Sequence, residues 1–163
     1  GHTFRTRCDT EVIVHAWEQW GEACVERFRG MFAFALWDRN QETLFLARDR
    51  LGVKPLYYGF AQDGMLIFGS ELKALTAHPA CGREIDPCAI EEYFAYGYVA
   101  EPRTIYKSAY KLPPGHTLTI KRGQHVPQPR EYWDVPFQPI AASPRLRRRR
   151  SFSLSLLPVR PEL

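Results

Sequence analysis

Hydrophobic residues near the start of the chain recur with the spacing of one helical face. Over residues 9–20 this period predicts an amphipathic α-helix. Asp9 is suited to cap the start of this helix, and Gly21 is suited to end it. A shorter helix is predicted over residues 22–28, with its apolar side chains turned to one side. Together the two helices predict one covering layer of the fold.

The pattern changes after Gly30, where an apolar run over residues 31–37 alternates large and small side chains. Phenylalanines and a leucine fall on one face, while two alanines and Trp37 fall on the other. Because neither face is polar, the run predicts a strand in the middle of a layered core, with another layer packed closely against the alanine side. A buried helix is the alternative, but the run is short and its flanks are typical of turns.

Three further short strands are predicted over residues 43–47, 56–60 and 65–68. Polar or glycine-containing segments separate them, so the four strands predict an antiparallel meander. The second half of the chain adds helices over residues 71–77 and from Pro87 onward.

Ser70 and Asp86 are the expected caps of these two helices. A strand is predicted over residues 117–121, and the organised part of the chain is expected to close near residues 131–134. The predicted class is α+β, in one domain over residues 1–137.

Composition and charge change this picture only at the C-terminus. The chain has 163 residues, 45% of them hydrophobic, which is enough for one globular domain with a core. Six arginines and one glutamate lie beyond residue 140, so the remaining residues carry a net charge of −1. The globular part therefore has no basic surface that would indicate nucleic acid. Residues 138–163 are predicted to be a basic tail, for which a localisation signal, a disordered linker and a shifted reading frame are the alternatives.

Candidate chemistry is sparse outside a few motifs. The four cysteines (Cys8, Cys24, Cys81 and Cys88) lack the spacing of a zinc site, and the five histidines are scattered. We expect reduced cysteines that serve as small core residues, no metal, no membrane span and a cytoplasmic protein.

Several motifs nevertheless occur in the order found in one enzyme family. They are CDTE at residues 8–11, RGMFAFALWD at 29–38, RDRLGVKPLYY at 48–58, GSELKAL at 69–75, LPPGH at 112–116 and YWD at 132–134. Over about residues 4–137 the chain resembles the class II glutamine amidotransferase domain of glutamine-hydrolysing asparagine synthetases. The resemblance implies a four-layer αββα N-terminal-nucleophile (Ntn) hydrolase sandwich, here incomplete.

The resemblance also implies a chemistry. In this family an N-terminal cysteine attacks the side-chain amide of glutamine, ammonia leaves as a thioester forms, and preplaced donors hold the oxyanion. The ammonia passes to a C-terminal domain that uses ATP and Mg²⁺ to amidate aspartate, in a parent enzyme that could be a homodimer. No Ser-Gly-Gly-x-Asp-Ser pyrophosphate loop occurs in this sequence, so no cofactor is expected for this chain itself.

One substrate contact carries over from the family, at Asp9. By resemblance, its carboxylate pairs with the α-ammonium of glutamine, although it could instead serve only as the helix cap. Cys8 stands where the family usually has serine, beside the expected pocket.

Four residues of the RDRLGVKPLYY motif, Arg48, Asp49, Gly52 and Lys54, lie in a predicted loop. We expect Arg48 and Asp49 to form an internal ion pair that braces the loop, in which Gly52 takes a positive φ. The alternative is that the four residues support the pocket or an interface between domains.

The family nucleophile is not among these residues, because the chain starts at Gly1 and the nucleophile must be an N-terminal cysteine. We therefore expect no catalytic residue here and a fragment of a synthetase that is inactive alone. The alternatives are a non-catalytic binding or assembly module with the same fold, and a fragment of a related amidotransferase that acts on another acceptor.

Overall fold

The computed structural model describes residues 1–61, 63–121 and 128–137. The predicted basic tail at residues 138–163 lies outside the described residues. The helices within these ranges are α1 (Asp9–Trp20), a 3₁₀ helix (Gly21–Arg27), α2 (Leu72–Thr76) and α3 (Pro87–Tyr96). The strands are β1 (Ala33–Asp38), β2 (Thr43–Arg48), β3 (Tyr57–Phe60), β4 (Leu66–Gly69), β5 (Ala109–Lys111), β6 (His116–Lys121) and β7 (Arg130–Glu131).

The strands form two antiparallel sheets, with the orders β1-β2-β6-β7 and β4-β3-β5. The predicted α+β class and the antiparallel pairing are confirmed. The predicted four-strand meander is wrong, because the two hairpins belong to different sheets. The physical reason is the segment at residues 48–55. Its own side chains hold it as a compact loop, and this loop carries the chain from β2 across to the second sheet.

Strand β2 is buried on both faces. Phe45 and Ala47 pack against a cluster from α1 and the 3₁₀ helix that includes Trp17. Leu46, on the opposite face, packs with Leu118 and with residues of the second sheet. Burying a side chain such as Phe45 or Leu46 stabilises a fold by about 1.5–3 kcal/mol. A third cluster, centred on Leu75, Cys81 and Ala109, joins α2 to the second sheet.

Strand β1, by contrast, lies at the edge of its sheet, so the prediction that it occupies the middle of the core is wrong. Phe34 and Leu36 pack toward α1 as expected, and Ala33 packs against the cluster between the two sheets. The rest of the alanine face is open: Ala35 is exposed and Trp37 is 53% exposed. The reason is that β1 pairs only with β2, so its other edge has no partner strand among the described residues.

The helix caps confirm one prediction and correct two. Asp86 caps α3, since its side chain accepts a hydrogen bond from the Cys88 N–H. Asp9 does not cap α1: Cys8 holds the N-cap position, no side chain caps the helix, and Asp9 is its first residue. Ser70 is likewise not the cap of α2, where Glu71 holds that position.

The cysteines fit the prediction in part. All four are free; Cys24 and Cys81 are buried as expected, whereas Cys8 and Cys88 are exposed. Burial raises the pKa of the Cys24 thiol to about 11, so this cysteine is an inert core residue. Within the described ranges no helix has the length and apolar character needed to cross a bilayer.

Candidate functional site

An open groove of about 710 Å³ runs along the free edge of β1. The first turns of α1 form one wall and the end of the 48–55 loop, with Ser70, forms another. Among the described residues that line the groove, two are charged, Asp9 and Lys54, and most of the others are apolar. The groove is thus bordered by one acidic and one basic residue.

Asp9 presents its carboxylate at the start of α1. The only hydrogen bond that it accepts among the described residues comes from the Cys8 thiol, with 3.5 Å between Sγ and Oδ1. Both residues are exposed. Because the carboxylate is not used to cap the helix, it keeps most of its hydrogen-bonding capacity for a ligand.

The turn before Asp9 is held by Glu11. The backbone N–H groups of Arg5 and Thr6 each donate to its carboxylate at 2.6 Å, and the Thr6 hydroxyl donates to it as well. These bonds, that of the Thr6 hydroxyl first, lower the pKa of Glu11 from 4.5 to about 2. Glu11 thus fixes the path of the chain into α1, and so the position of Asp9.

The opposite wall depends on the buried guanidinium of Arg48. It donates to the carbonyl oxygens of Lys54 at 2.9 Å, Gly52 at 2.7 Å and Leu112 at 2.6 Å. Its ion pair is with Glu101, at 2.7 Å between Nη1 and Oε1. The expected ion pair between Arg48 and Asp49 is therefore wrong.

Asp49 bonds to backbone amides of the same loop, and within the described residues it forms no ion pair with Arg48. Its buried carboxylate accepts the backbone N–H groups of Leu51 at 3.2 Å, Val53 at 3.0 Å and Lys54 at 2.9 Å. The two charges thus brace the loop separately, one through carbonyl groups and the other through amide groups. The motif does brace its own loop, as predicted, but Arg48 and Asp49 bond to backbone groups and not to each other.

Gly52 has the expected positive φ, +64°. A β-carbon at this position would lie 2.8 Å from Cγ of Pro114 and 3.0 Å from Cζ of Arg48. Glycine is therefore required both for the backbone conformation and for the close approach of Arg48. Arg48, Asp49 and Gly52 do not line the groove; they hold Lys54, which does.

The chain is similar to known proteins over most of its length. Residues 1–133 match the protein family described as "glutamine amidotransferase domain". The chain belongs to that family. The resemblance found in the sequence is thereby confirmed.

Several relatives of this amidotransferase domain have names that state an activity. The chain is 42% identical over 137 residues to asparagine synthetase [glutamine-hydrolyzing] 3 of Bacillus subtilis, covering 83% of the chain and 22% of the relative. It is 38% identical over 138 residues to putative asparagine synthetase [glutamine-hydrolyzing] 2 of Methanocaldococcus jannaschii, covering 83% and 27%. It is 33% identical over 129 residues to amidase chyE of Penicillium rubens, covering 79% and 18%. The chain spans about a quarter or less of the length of these relatives.

Two features of this amidotransferase domain escaped sequence reasoning. The free edge of β1 lines the groove, although its all-apolar pattern predicted an interior strand. His2 and His15 stack with 4.6 Å between ring centroids, although they are far apart in sequence. The spacing of His15 and Glu18 on one helical face was the only sequence signal for the second feature.

Proposed function

We propose that this chain is the C-terminal part of the glutamine-hydrolysing domain of a glutamine-dependent asparagine synthetase, in which Asp9 binds the α-ammonium of glutamine. The observation that carries the proposal is the uncommitted carboxylate of Asp9 on the wall of a groove that holds one opposing cation, Lys54. The names of the bacterial and archaeal relatives support asparagine synthesis as the parent activity.

The proposal includes the four-layer Ntn-hydrolase sandwich. Three hydrophobic clusters support it, one between α1 and the first sheet, one between the two sheets, and one between the second sheet and α2. The edge of β1 would be the place where the rest of the first sheet pairs.

In this proposal the described residues bind and orient the substrate. Asp9 accepts the α-ammonium, a charge-assisted contact that selects free glutamine over glutamine within a peptide. Lys54, a residue of the other wall, is proposed to face the α-carboxylate. The nucleophilic attack on the amide is not assigned to any of these residues.

ATP and Mg²⁺ would act in the synthetase portion of the parent enzyme. There they would activate the carboxylate that receives the ammonia. No residue of this chain is assigned to either group, since the sequence lacks the pyrophosphate loop.

A domain graft tests the proposal. Residues 1–133 replace the corresponding segment of the Bacillus subtilis relative, and asparagine formation is measured with glutamine and, separately, with ammonia. We expect both activities in the graft. Asp9→Asn removes a charge-assisted bond, so the KM for glutamine should rise by about 10- to 100-fold while the ammonia-dependent rate is unchanged.

Cys8→Ser is the matched control, because it alters the adjacent side chain and leaves the Asp9 carboxylate in place. Its KM for glutamine should stay near that of the parent graft. A graft that uses ammonia but not glutamine contradicts the proposed domain function. An unchanged KM in the Asp9→Asn graft contradicts the role of Asp9 alone.

A further inference from the structure

We propose that His2, His15 and Glu18 form a surface site for a divalent transition-metal ion of the Zn²⁺ type. One nitrogen from each histidine and one oxygen from the glutamate lie within 4.8 Å of one another. The site sits beside α1, in a groove of about 380 Å³ that both imidazole rings help to line. It is separate from the Asp9 groove and does not depend on the function proposed for it.

Two of the three distances between the ligand atoms are close to those of a metal site. Nδ1 of His2 lies 3.3 Å from Oε2 of Glu18, and Nδ1 of His15 lies 2.9 Å from the same oxygen. Tetrahedral zinc with bonds of about 2.0–2.2 Å to nitrogen and oxygen separates its ligands by about 3.3 Å. Three protein ligands leave the fourth position for water, as in open zinc sites. Imidazole and carboxylate are a donor set that suits zinc.

The second imidazole nitrogen of His15 gives an independent reason to propose a metal ion here. Nε2 is buried and is one of only two buried side-chain nitrogen or oxygen atoms without a hydrogen-bond partner in the described part of the chain. It faces Oε1 of Glu11 at 3.6 Å. A neutral, metal-free ring that donates from Nδ1 to Glu18 would turn the Nε2 lone pair toward this carboxylate.

A metal ion on Nδ1 reverses that pairing. The ring proton then sits on Nε2 and points at Glu11, which gives the carboxylate–histidine–metal arrangement that orients ligands in many metal sites. Glu11 is itself held by the N–H groups of Arg5 and Thr6. The carboxylate behind the ring is therefore fixed before any metal binds.

The chain places His2 over α1 without help from a metal. Phe4 packs edge-on against the His15 ring at 5.0 Å, and His2 stacks on the same ring. Arg27 shares the groove, but its guanidinium lies 4.4 Å over the Trp20 ring. To share one ion, the exposed His2 ring would turn out of this stack, so that the ion lies in the plane of both rings. Metal binding would then tie the N-terminal segment to α1.

Calorimetric titration of the chain with ZnCl₂ tests the proposal. Because Cys8 and Cys88 are exposed thiols that bind zinc on their own, the parent for the test carries Cys8→Ser and Cys88→Ser. We expect one Zn²⁺ per chain and a higher thermal midpoint. His2→Gln and His15→Gln should each lower the affinity by at least about tenfold, and Glu11→Gln by about 10- to 100-fold.

His78→Gln is the matched control, since His78 is outside the cluster and should leave the affinity unchanged. Far-UV circular dichroism checks that each variant is folded, and His2→Gln keeps α1 intact where His15→Gln could disturb it. Long-range ¹H–¹⁵N spectra should show zinc on Nδ1 of His15, with the proton on Nε2. Absence of saturable binding, undiminished affinity in either histidine variant, or coordination through Nε2 would overturn the site.

Discussion

Asp9 and Asp49 are the same residue type, but Asp9 lines the groove whereas Asp49 lies in the loop behind the opposite wall, and their surroundings differ sharply. Asp49 is 1% exposed, and its carboxylate accepts three backbone amides of its own loop. Asp9 is exposed and accepts a hydrogen bond only from the Cys8 thiol among the described residues. A carboxylate whose capacity is filled by the backbone serves the fold, whereas one left open is available to a ligand.

The same contrast separates the two walls of the groove. The 48–55 loop is fixed from within by a buried cation and a buried anion. The turn before α1 lies at the surface and is fixed by a single carboxylate, Glu11. Substitutions in the loop should therefore reduce stability, and those in the turn should act mainly on binding.

The largest effect is expected from Arg48→Met. This change leaves Glu101 and three carbonyl groups without their cation, and breaking a buried pair costs about 3–5 kcal/mol. Glu101 is 29% exposed, so we expect a loss near the lower end of that range. Urea unfolding measures the free energy. Lys73→Met is the control, because its pair with Glu71 is exposed to solvent and should contribute little to stability. If the two variants lose the same free energy of unfolding, Arg48 does not have this structural role.

A smaller effect is expected from Asp49→Ala, and it tests the comparison directly. Removal of the carboxylate leaves three loop amides without their acceptor, which should cost about 2–3 kcal/mol. Asp9→Ala should change the free energy of unfolding by no more than about 0.5 kcal/mol, as is usual for an exposed side chain. If the two substitutions destabilise the chain equally, the distinction between the two aspartates fails.

Local patterns in the sequence predicted where helices and strands occur better than they predicted which of these elements pack together. Helix α1 and the cap of α3 follow from apolar spacing and from Asp86 with Pro87, because both signals are local. The assignment of the two hairpins to different sheets could not be predicted in this way. It depends on contacts of Arg48 with Leu112 and Glu101, which are distant in sequence.

The burial of β1 and the role of Asp9 show a second limit. An apolar pattern reports what a strand can bury, and Trp37 remains exposed because no described strand covers that edge. The residue type at position 9 fitted both a cap and a substrate contact, and only the backbone shows that Cys8 holds the cap position. Membership of the amidotransferase family came from motifs, which need no knowledge of packing.

The smallest effect concerns the pH dependence of the turn that precedes α1. The pKa of Glu11 is lowered from 4.5 to about 2, first by the Thr6 hydroxyl and then by the Arg5 amide. A carboxyl group with a lowered pKa stabilises the fold above its unfolded pKa, and this stabilisation is lost as the pH falls toward the folded value. The thermal midpoint of Glu11→Gln should therefore lie below that of the parent above about pH 5, and the gap should close between about pH 4.5 and 2.

Measurements in zinc-free buffer keep this effect separate from metal binding. Glu26→Gln is the matched control, because the exposed Glu26 side chain has no hydrogen bond within the described residues. The difference in thermal midpoint between this variant and the parent should not change between about pH 5 and 2. A Glu11→Gln gap that is constant from pH 7 to 2 would mean that the carboxylate does not hold the turn. The position of Asp9 would then depend on α1 alone, and the two walls of the groove would differ more than the contacts indicate.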